Sequence, residues 1–374
     1  MKKFLVFCFL MSCCFLGGYA FGEEYIKVGL LGPMTGPLAD EGKQMKEVVE
    51  LLAADLNAQG GVLGKKVQII TADDQGTVEG GITGAQELID QGVVAAIGSY
   101  PSSVTAAAQN IFSKAGVLQI TNASTAVPLS QKGIETFVRI CSNDDDQAEA
   151  GAEVISERGY KKVAILHDDT LYSKGLANST RALLEKKGMQ IIFDEALPAG
   201  RDNYKEILIQ IKKTNPDVIF FTGYYPEAGV LLRQKRELGW KVPIIGGDAS
   251  NNPDLIKIAG KKAAKGFQFL SLPRPENLPS LEAKEFLLQY KNKYGHRVNS
   301  IYAMLAGDAF RVITFAIEQT KSTKGDVMAN YLLNDLKAYK GFTGLISFDK
   351  NGDREGQIFV DYQYNAKGKA ALQL

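Results

Sequence analysis

Between residues 25 and 140 the chain repeats one unit: a short apolar run rich in β-branched residues, a loop carrying Gly, Pro or Asp, then apolar residues at helical spacing. Residues 25–31, 66–71, 93–97, 117–120 and 137–140 read as strands. Helices fall between them: Met45, Val48, Val49, Leu52 and Leu56 recur at i, i+3, i+4, i+7 and i+11, and residues 78–90 and 102–114 follow suit. Strict alternation of this kind predicts a parallel sheet with helices on both faces. Ligands of such sheets bind at the carboxyl edge of the strands, here the loops 31–40, 72–76, 98–103 and 121–128.

After an acidic loop, Asn143-Asp144-Asp145-Asp146, the alternation restarts. Strands are expected at 162–167, 189–194, 217–222, 243–245 and 267–270, with helices near 173–187, 203–213, 226–238 and 252–259. The acidic run reads as a solvated helix start. The Pro-rich piece Leu272-Pro273-Arg274-Pro275-Glu276 reads as a crossover, residues 280–294 and 301–319 as helices, and residues 342–348 and 357–364 as a hairpin about the turn Asp349-Lys350-Asn351-Gly352-Asp353. The expected fold is therefore α/β, with two doubly wound parallel-sheet domains joined by several crossovers. One lobe comprises 23–142 and 274–346, the other 143–273 and 347–374. Their carboxyl edges would face each other across a cleft that closes by hinge motion.

Met1-Lys2-Lys3, the apolar residues 4–16 and the small residues Gly17, Gly18, Ala20 and Gly22 have the three-part pattern of a secretory signal, with cleavage after Ala20 or Gly22. The apolar run is short for a membrane span. Leu10-Met11-Ser12-Cys13 offers a weaker alternative, lipid attachment at Cys13. Removal of the signal takes Cys8, Cys13 and Cys14, leaves Cys141 alone, and so excludes an intramolecular disulfide. Stability must come from the core, for which 374 residues at 45% hydrophobic content suffice. The 43 Lys and Arg against 42 Asp and Glu give no electrostatic grip on nucleic acid or membrane.

Four loops converge on the cleft. A helix starting at Ser102-Ser103 offers hydroxyls, N–H groups and the positive end of a dipole to an anion, or else simply carries an ordinary cap. Asn122-Ala123-Ser124-Thr125 adds a hydroxyl, amides and carbonyls. Gly223-Tyr224-Tyr225-Pro226-Glu227 and Gly246-Gly247-Asp248 follow strands of the second half, though Asp248 would equally cap a helix. An α-amino acid needs donors for its carboxylate and acceptors for its ammonium, and both sets stand at strand ends. Enzyme signatures are missing: residues 29–36 lack G-x-G-x-x-G spacing, there is no Walker loop or G-x-S-x-G elbow, and His167 and His296 have no metal-ligating companions nearby in sequence. No cofactor or metal is expected.

Met34-Thr35-Gly36-Pro37, residues 54–61, Asp73-Asp74, residues 98–105, Asn122 to Thr125, His167-Asp168 with Tyr172, Gly223 to Glu227 and the turn 348–356 occur in an order that resembles the periplasmic Leu/Ile/Val-binding proteins, receptors of branched-chain amino-acid ABC transporters. The resemblance spans nearly the whole chain after the signal and implies a type I periplasmic binding fold. It also implies that Ser102 and Thr125 bind a ligand carboxylate, that Ala123 offers its carbonyl to the ammonium, and that Asp248 neutralises it where the family usually has Glu. Tyr172 and Tyr224 would close over the ligand, while Tyr100, Pro101, Glu41 and Tyr302 would line the side-chain pocket. Many members carry a disulfide joining the positions of Gly76 and Pro101, which this chain lacks. Glu41 replaces a residue that is often aromatic, and it also fits the first turn of its helix as a dipole partner. The function so implied is a monomeric, periplasmic receptor that captures a nonpolar or aromatic α-amino acid and hands it to a membrane permease. The alternative is a receptor for an acid or amide without an amine. Asp248 separates the two, because an unpaired charge in a closed cleft is costly.

Overall fold

The computed structural model describes residues 25–373, so the signal segment and Cys13 lie outside the described residues. Strands β1 (Ile26–Gly32), β2 (Val67–Asp73), β3 (Ala95–Ile97), β4 (Leu118–Thr121) and β5 (Phe137–Arg139) form an all-parallel sheet in the order β2-β1-β3-β4-β5. Helices α1 (Ala39–Ala58), α2 (Val78–Asp90) and α3 (Ser102–Lys114) are its crossovers. Central strand β1 buries Val28 and Leu30 on one face and Leu31 on the other, as a strand covered on both sides must.

The chain then leaves this sheet through α4 (Asp144–Glu157) and builds β6 (Lys162–His167), α5 (Leu171–Lys186), β7 (Gln190–Ala196), α6 (Lys205–Thr214), β8 (Val218–Phe221), α7 (Tyr225–Glu237), β9 (Ile244–Gly246), α8 (Asp254–Ala259), α9 (Lys261–Ala264) and β10 (Gln268–Ser271). It returns to the first sheet with α10 (Leu281–Tyr294), α11 (Ile301–Thr320), α12 (Gly325–Asn334) and the small pair β11 (Tyr339–Gly341) and β12 (Gly344–Ile346). A third crossing brings β13 (Val360–Tyr364) and β14 (Ala370–Leu372) to the second sheet, whose order is β14-β13-β10-β9-β8-β6-β7. Its first five strands are parallel and repeat the topology of the first sheet, while β13 and β14 add antiparallel. In each sheet the strand order reverses at one place, between β1 and β3 and between β6 and β8. The loops leaving those strands frame the crevice where such sheets bind ligands.

Three expectations need correction. Residues 342–348 and 357–364 do not pair as a hairpin: β12 turns back on β11, β13 pairs with β10, and pairing about the Asp349 turn stops at the bridge from Phe348 to Arg354 and the bond from Glu355 N to the Ser347 carbonyl at 3.0 Å. Helix α12, whose buried Met328, Ala329 and Leu332 do recur at helical spacing, went unread. The run Asp144–Asp146 does start a helix, capped by the Asn143 side chain, but Asp144 is buried rather than solvated.

Gly98 leaves β3 with φ +117°, and a Cβ there would stand 2.0 Å from the Leu31 carbonyl oxygen. Gly98→Ala is therefore expected to cost about 1–3 kcal/mol by overpacking, read as a lower urea midpoint.

Candidate ligand-binding cleft

Each wall of the cleft is built by a strand end. Helix α3 begins at Ser102, with Pro101 as its cap residue accepting from the N–H groups of Val104 and Thr105, so Ser102 and Ser103 stand at the positive end of the helix. The loop before it is held by a buried cluster. Thr105 Oγ1 accepts from Ser99 N at 2.9 Å, Ser124 Oγ donates to the Ser99 carbonyl at 2.9 Å, and the Ser99 hydroxyl bonds Asp74. Asp74 also accepts from Gly76 N at 2.8 Å, and its burial pushes its carboxyl up to about 6. The Gly76 and Gly98 loops are joined through Asp74 and Ser99.

From this side Tyr100, Ser102, Ala123 and Thr125 reach the cavity, joined by Tyr302 from the first turn of α11. Asn122 Nδ2 fixes that turn by donating to the Tyr302 carbonyl at 2.9 Å. From the second sheet come Tyr172 at the start of α5, Tyr224 before α7, and Asp248 and Ala249 after β9. The rings pack in series: Tyr302 to Tyr100 at 5.5 Å, Tyr100 to Tyr224 at 6.0 Å, and Tyr224 to Tyr172 at 5.5 Å between centroids. They leave a cavity of about 10 Å³, room for one water-sized sphere.

Asp248 is 2% exposed. Its Oδ1 accepts from Tyr172 Oη at 2.8 Å and from Ala249 N at 2.8 Å, its Oδ2 accepts from the Tyr302 hydroxyl, and its own N–H donates to Gln147 Oε1 at 2.9 Å. Burial raises its carboxyl above the usual range, against the pull of those bonds. It caps no helix: Asn252 accepts from Asp254 N instead. No cationic side chain lines the cavity among the described residues.

Two candidates stand apart from the cavity wall. Pro101 is the buried cap of α3. Glu41 sits in the first turn of α1, 1% exposed, where it bonds the Ser300 hydroxyl and accepts from Asn252 Nδ2 at 2.7 Å. The Glu41–Asn252 bond crosses from one sheet's elements to the other's, as do Tyr225 Oη to the Pro37 carbonyl at 2.6 Å and Leu171 N to Ser103 Oγ at 3.3 Å. Ala249, Gln147 and Asn252 were missed. Nothing in a lone sequence marks a small residue or an amide as part of a cleft, although Asn252 does stand four residues after Asp248 in the same strand-end loop.

Two sheets of one topology, sharing three chain crossings and a buried site between their carboxyl edges, define a two-lobed binding protein. Residues 25–369 match the model of the periplasmic binding protein family, and the chain belongs to that family. It is 31% identical over 342 residues to the Leu/Ile/Val-binding protein BraC3 of Rhizobium johnstonii, covering 91% of this chain and 92% of that one. Among solved structures it resembles the leucine binding protein LivK of Thermotoga maritima, with TM-score 0.86 and 28% identity over 93% of this chain and 98% of that one. It also resembles the branched-chain amino acid transporter substrate binding protein LivJ of Streptococcus pneumoniae in complex with isoleucine, with TM-score 0.84 and 29% identity over 94% and 99%. A member of a family of binding proteins, it is not an enzyme.

Proposed function

We propose that this is an exported, monomeric substrate-binding protein that captures a nonpolar or aromatic α-amino acid between its lobes, 23–142 with 274–346 and 143–273 with 347–374, and delivers it to the permease of an ABC transporter. One observation carries the reading: a buried carboxylate, Asp248, shares with Ser102 and Thr125 a cavity that no cationic side chain lines among the described residues. A zwitterion satisfies both ends, with Ala123 offering a carbonyl to the ammonium. A carboxylate without an amine leaves Asp248 unmatched. The branched-chain ligands named for the relatives support the same class. Because the tyrosine rings nearly meet, an amino acid enters only when the lobes part, and closure then brings Tyr172, Tyr224 and Asp248 onto it.

The test is thermal unfolding of protein refolded from denaturant, against the twenty amino acids and a panel of benzoate-like acids. A native-state ligand at a hundred times its Kd adds about 2.7 kcal/mol. A raised midpoint with a few nonpolar or aromatic amino acids, lost in Asp248→Asn, is the expected result. A response confined to acids lacking an amine overturns the reading.

A further inference from the structure

Helix α10 sorts its side chains by face. Glu282, Glu285, Phe286 and Gln289, at i, i+3, i+4 and i+7, line a hollow against α1 and α11. Lys284, Leu287, Leu288 and Lys291, at the same spacing on the opposite face, line a groove of about 640 Å³. Elements of the second sheet line that groove too: Tyr364 at the end of β13, Lys369 in the turn that follows and Ala370 at the start of β14. Arg274 joins them from the second crossing and Arg297 from the segment before α11. The groove thus spans both lobes, and it shares no residue with the cavity around Asp248.

Its lining holds five cations, Arg274, Lys284, Lys291, Arg297 and Lys369, and a single acid, Glu276. Arg274 answers that acid, donating from Nε to Glu276 Oε1 at 2.9 Å and from Nη1 to Asn251 Oδ1 at 2.8 Å. Among the described residues no ion pair or side-chain hydrogen bond holds Lys284, Lys291, Arg297 or Lys369. A chain whose 43 basic and 42 acidic residues nearly cancel has therefore gathered four unpaired cations around one hollow. Cations facing one concavity raise its potential together and draw in an anion. A single exposed pair is worth little and is screened by salt, so a ligand held here must carry several charges at once. The groove is also partly apolar, with Leu288 59% exposed and Leu287 and Val298 beside it, which an apolar body between the anionic groups would cover.

We propose that this groove is a second ligand site, which takes a multivalent organic anion with several carboxylate or phosphate groups on an apolar body and ties α10 of one lobe to the β13–β14 turn of the other. Lys284, Lys291 and Arg297 grip it from the first lobe and Lys369 from the second. Parting of the lobes draws Lys369 away from Lys291, so the anion binds the closed arrangement better and shifts the population toward it. It thereby raises affinity for the ligand in the cleft, and by linkage the cleft ligand raises affinity for the anion by the same factor. The coupling rests on the lobe closure of the amino-acid reading; the anion site does not.

The test is calorimetric titration of benzene-1,3,5-tricarboxylate, with benzoate at equal ionic strength as the monoanion control, into the wild type, Lys291→Gln, Lys369→Gln and the double variant. Melting curves show that each variant folds. The trianion is expected to bind the wild type and to weaken about tenfold between about 20 mM and about 200 mM salt. Each single variant should lose about threefold and the double about tenfold, with no such loss for benzoate. Saturating trianion should tighten leucine binding about threefold in the wild type and leave it unchanged in Lys369→Gln. Small-angle scattering reads closure without any amino acid: the trianion alone should compact the wild type and not the double variant. Absence of trianion binding, or equal binding in all four proteins, overturns the site. Loss in the variants with neither compaction nor tighter leucine binding overturns the tie between the lobes. Failure of every amino acid to bind removes the amino-acid reading instead, while the trianion isotherms and the scattering still decide this one.

Discussion

Arg139→Met is expected to lower stability by about 3–5 kcal/mol, the range for breaking a buried ion pair from one side. The guanidinium is fully buried. It donates from Nε to Asp353 Oδ1 at 2.9 Å, from Nη2 to Ser130 Oγ at 2.9 Å and from Nη1 to the Ala126 carbonyl at 2.8 Å. Its backbone meets the same turn, since Arg139 N donates to the Gly352 carbonyl at 2.8 Å and Arg354 N to the Arg139 carbonyl at 3.1 Å. One side chain therefore ties the end of β5, the segment after Thr125 and the third crossing of the chain. Methionine fills the volume but leaves Asp353 charged and two acceptors bare. The double variant Arg139→Met/Asp353→Asn should recover part of the loss in a urea titration. A single-variant cost under about 1 kcal/mol would show that solvent screens the pair as it does on a surface.

The second large effect concerns pH. Burial pushes the Glu41 carboxyl from 4.5 up to about 7, against the Ser300 and Asn252 bonds that favour its anion. Keeping this fully buried carboxyl charged costs about 3 kcal/mol. If the cleft opens as proposed, Glu41 would part from Asn252, and its carboxyl would return toward the ordinary value. The closed arrangement thus binds the extra proton: its advantage is complete below about pH 4.5 and is lost as pH rises through about 7. Glu41→Gln keeps an acceptor for Asn252 and cannot ionise. At pH 8 the variant is expected to bind ligand at least tenfold tighter than wild type, at pH 4.5 about equally, with the ranking of ligands unchanged because Glu41 lies off the cavity wall. Equal pH dependence of Kd in the two proteins would show that Glu41 is already neutral, or already buried, in the open form.

The sheets were legible because their strands are continuous apolar runs and their helices are amphipathic, and helices α2 and α3 begin and end where period and caps place them. Ser102, Ala123, Thr125, Tyr224 and Asp248 could be placed at one cleft because each lies in a loop that leaves a strand, and all five line the same cavity. The burial of Asp144 was not legible. Three consecutive acids after Asn have the composition of a solvated helix start, and only the packing of α4 beside Thr125 removes the first of them from water. Glu41 reads correctly as a first-turn acid, but its partners Asn252 and Ser300 lie more than two hundred residues away, beyond any local pattern. The hairpin failed because local turn chemistry about Asp349 is real while the partners of the flanking residues are decided elsewhere, by β11 and β10.

The three crossings also set an order in time. Strands β1 to β5 are complete once residue 139 has been made, but the face they offer α11 stays bare until residues 301–320 exist. The second sheet waits longer still, because β10 has no antiparallel neighbour until residues 360–364 arrive. A nascent chain halted before that point carries an open strand edge, the feature by which proteins pair wrongly with one another. Truncation at the carboxyl terminus would therefore be felt first as aggregation during synthesis, before any loss of ligand.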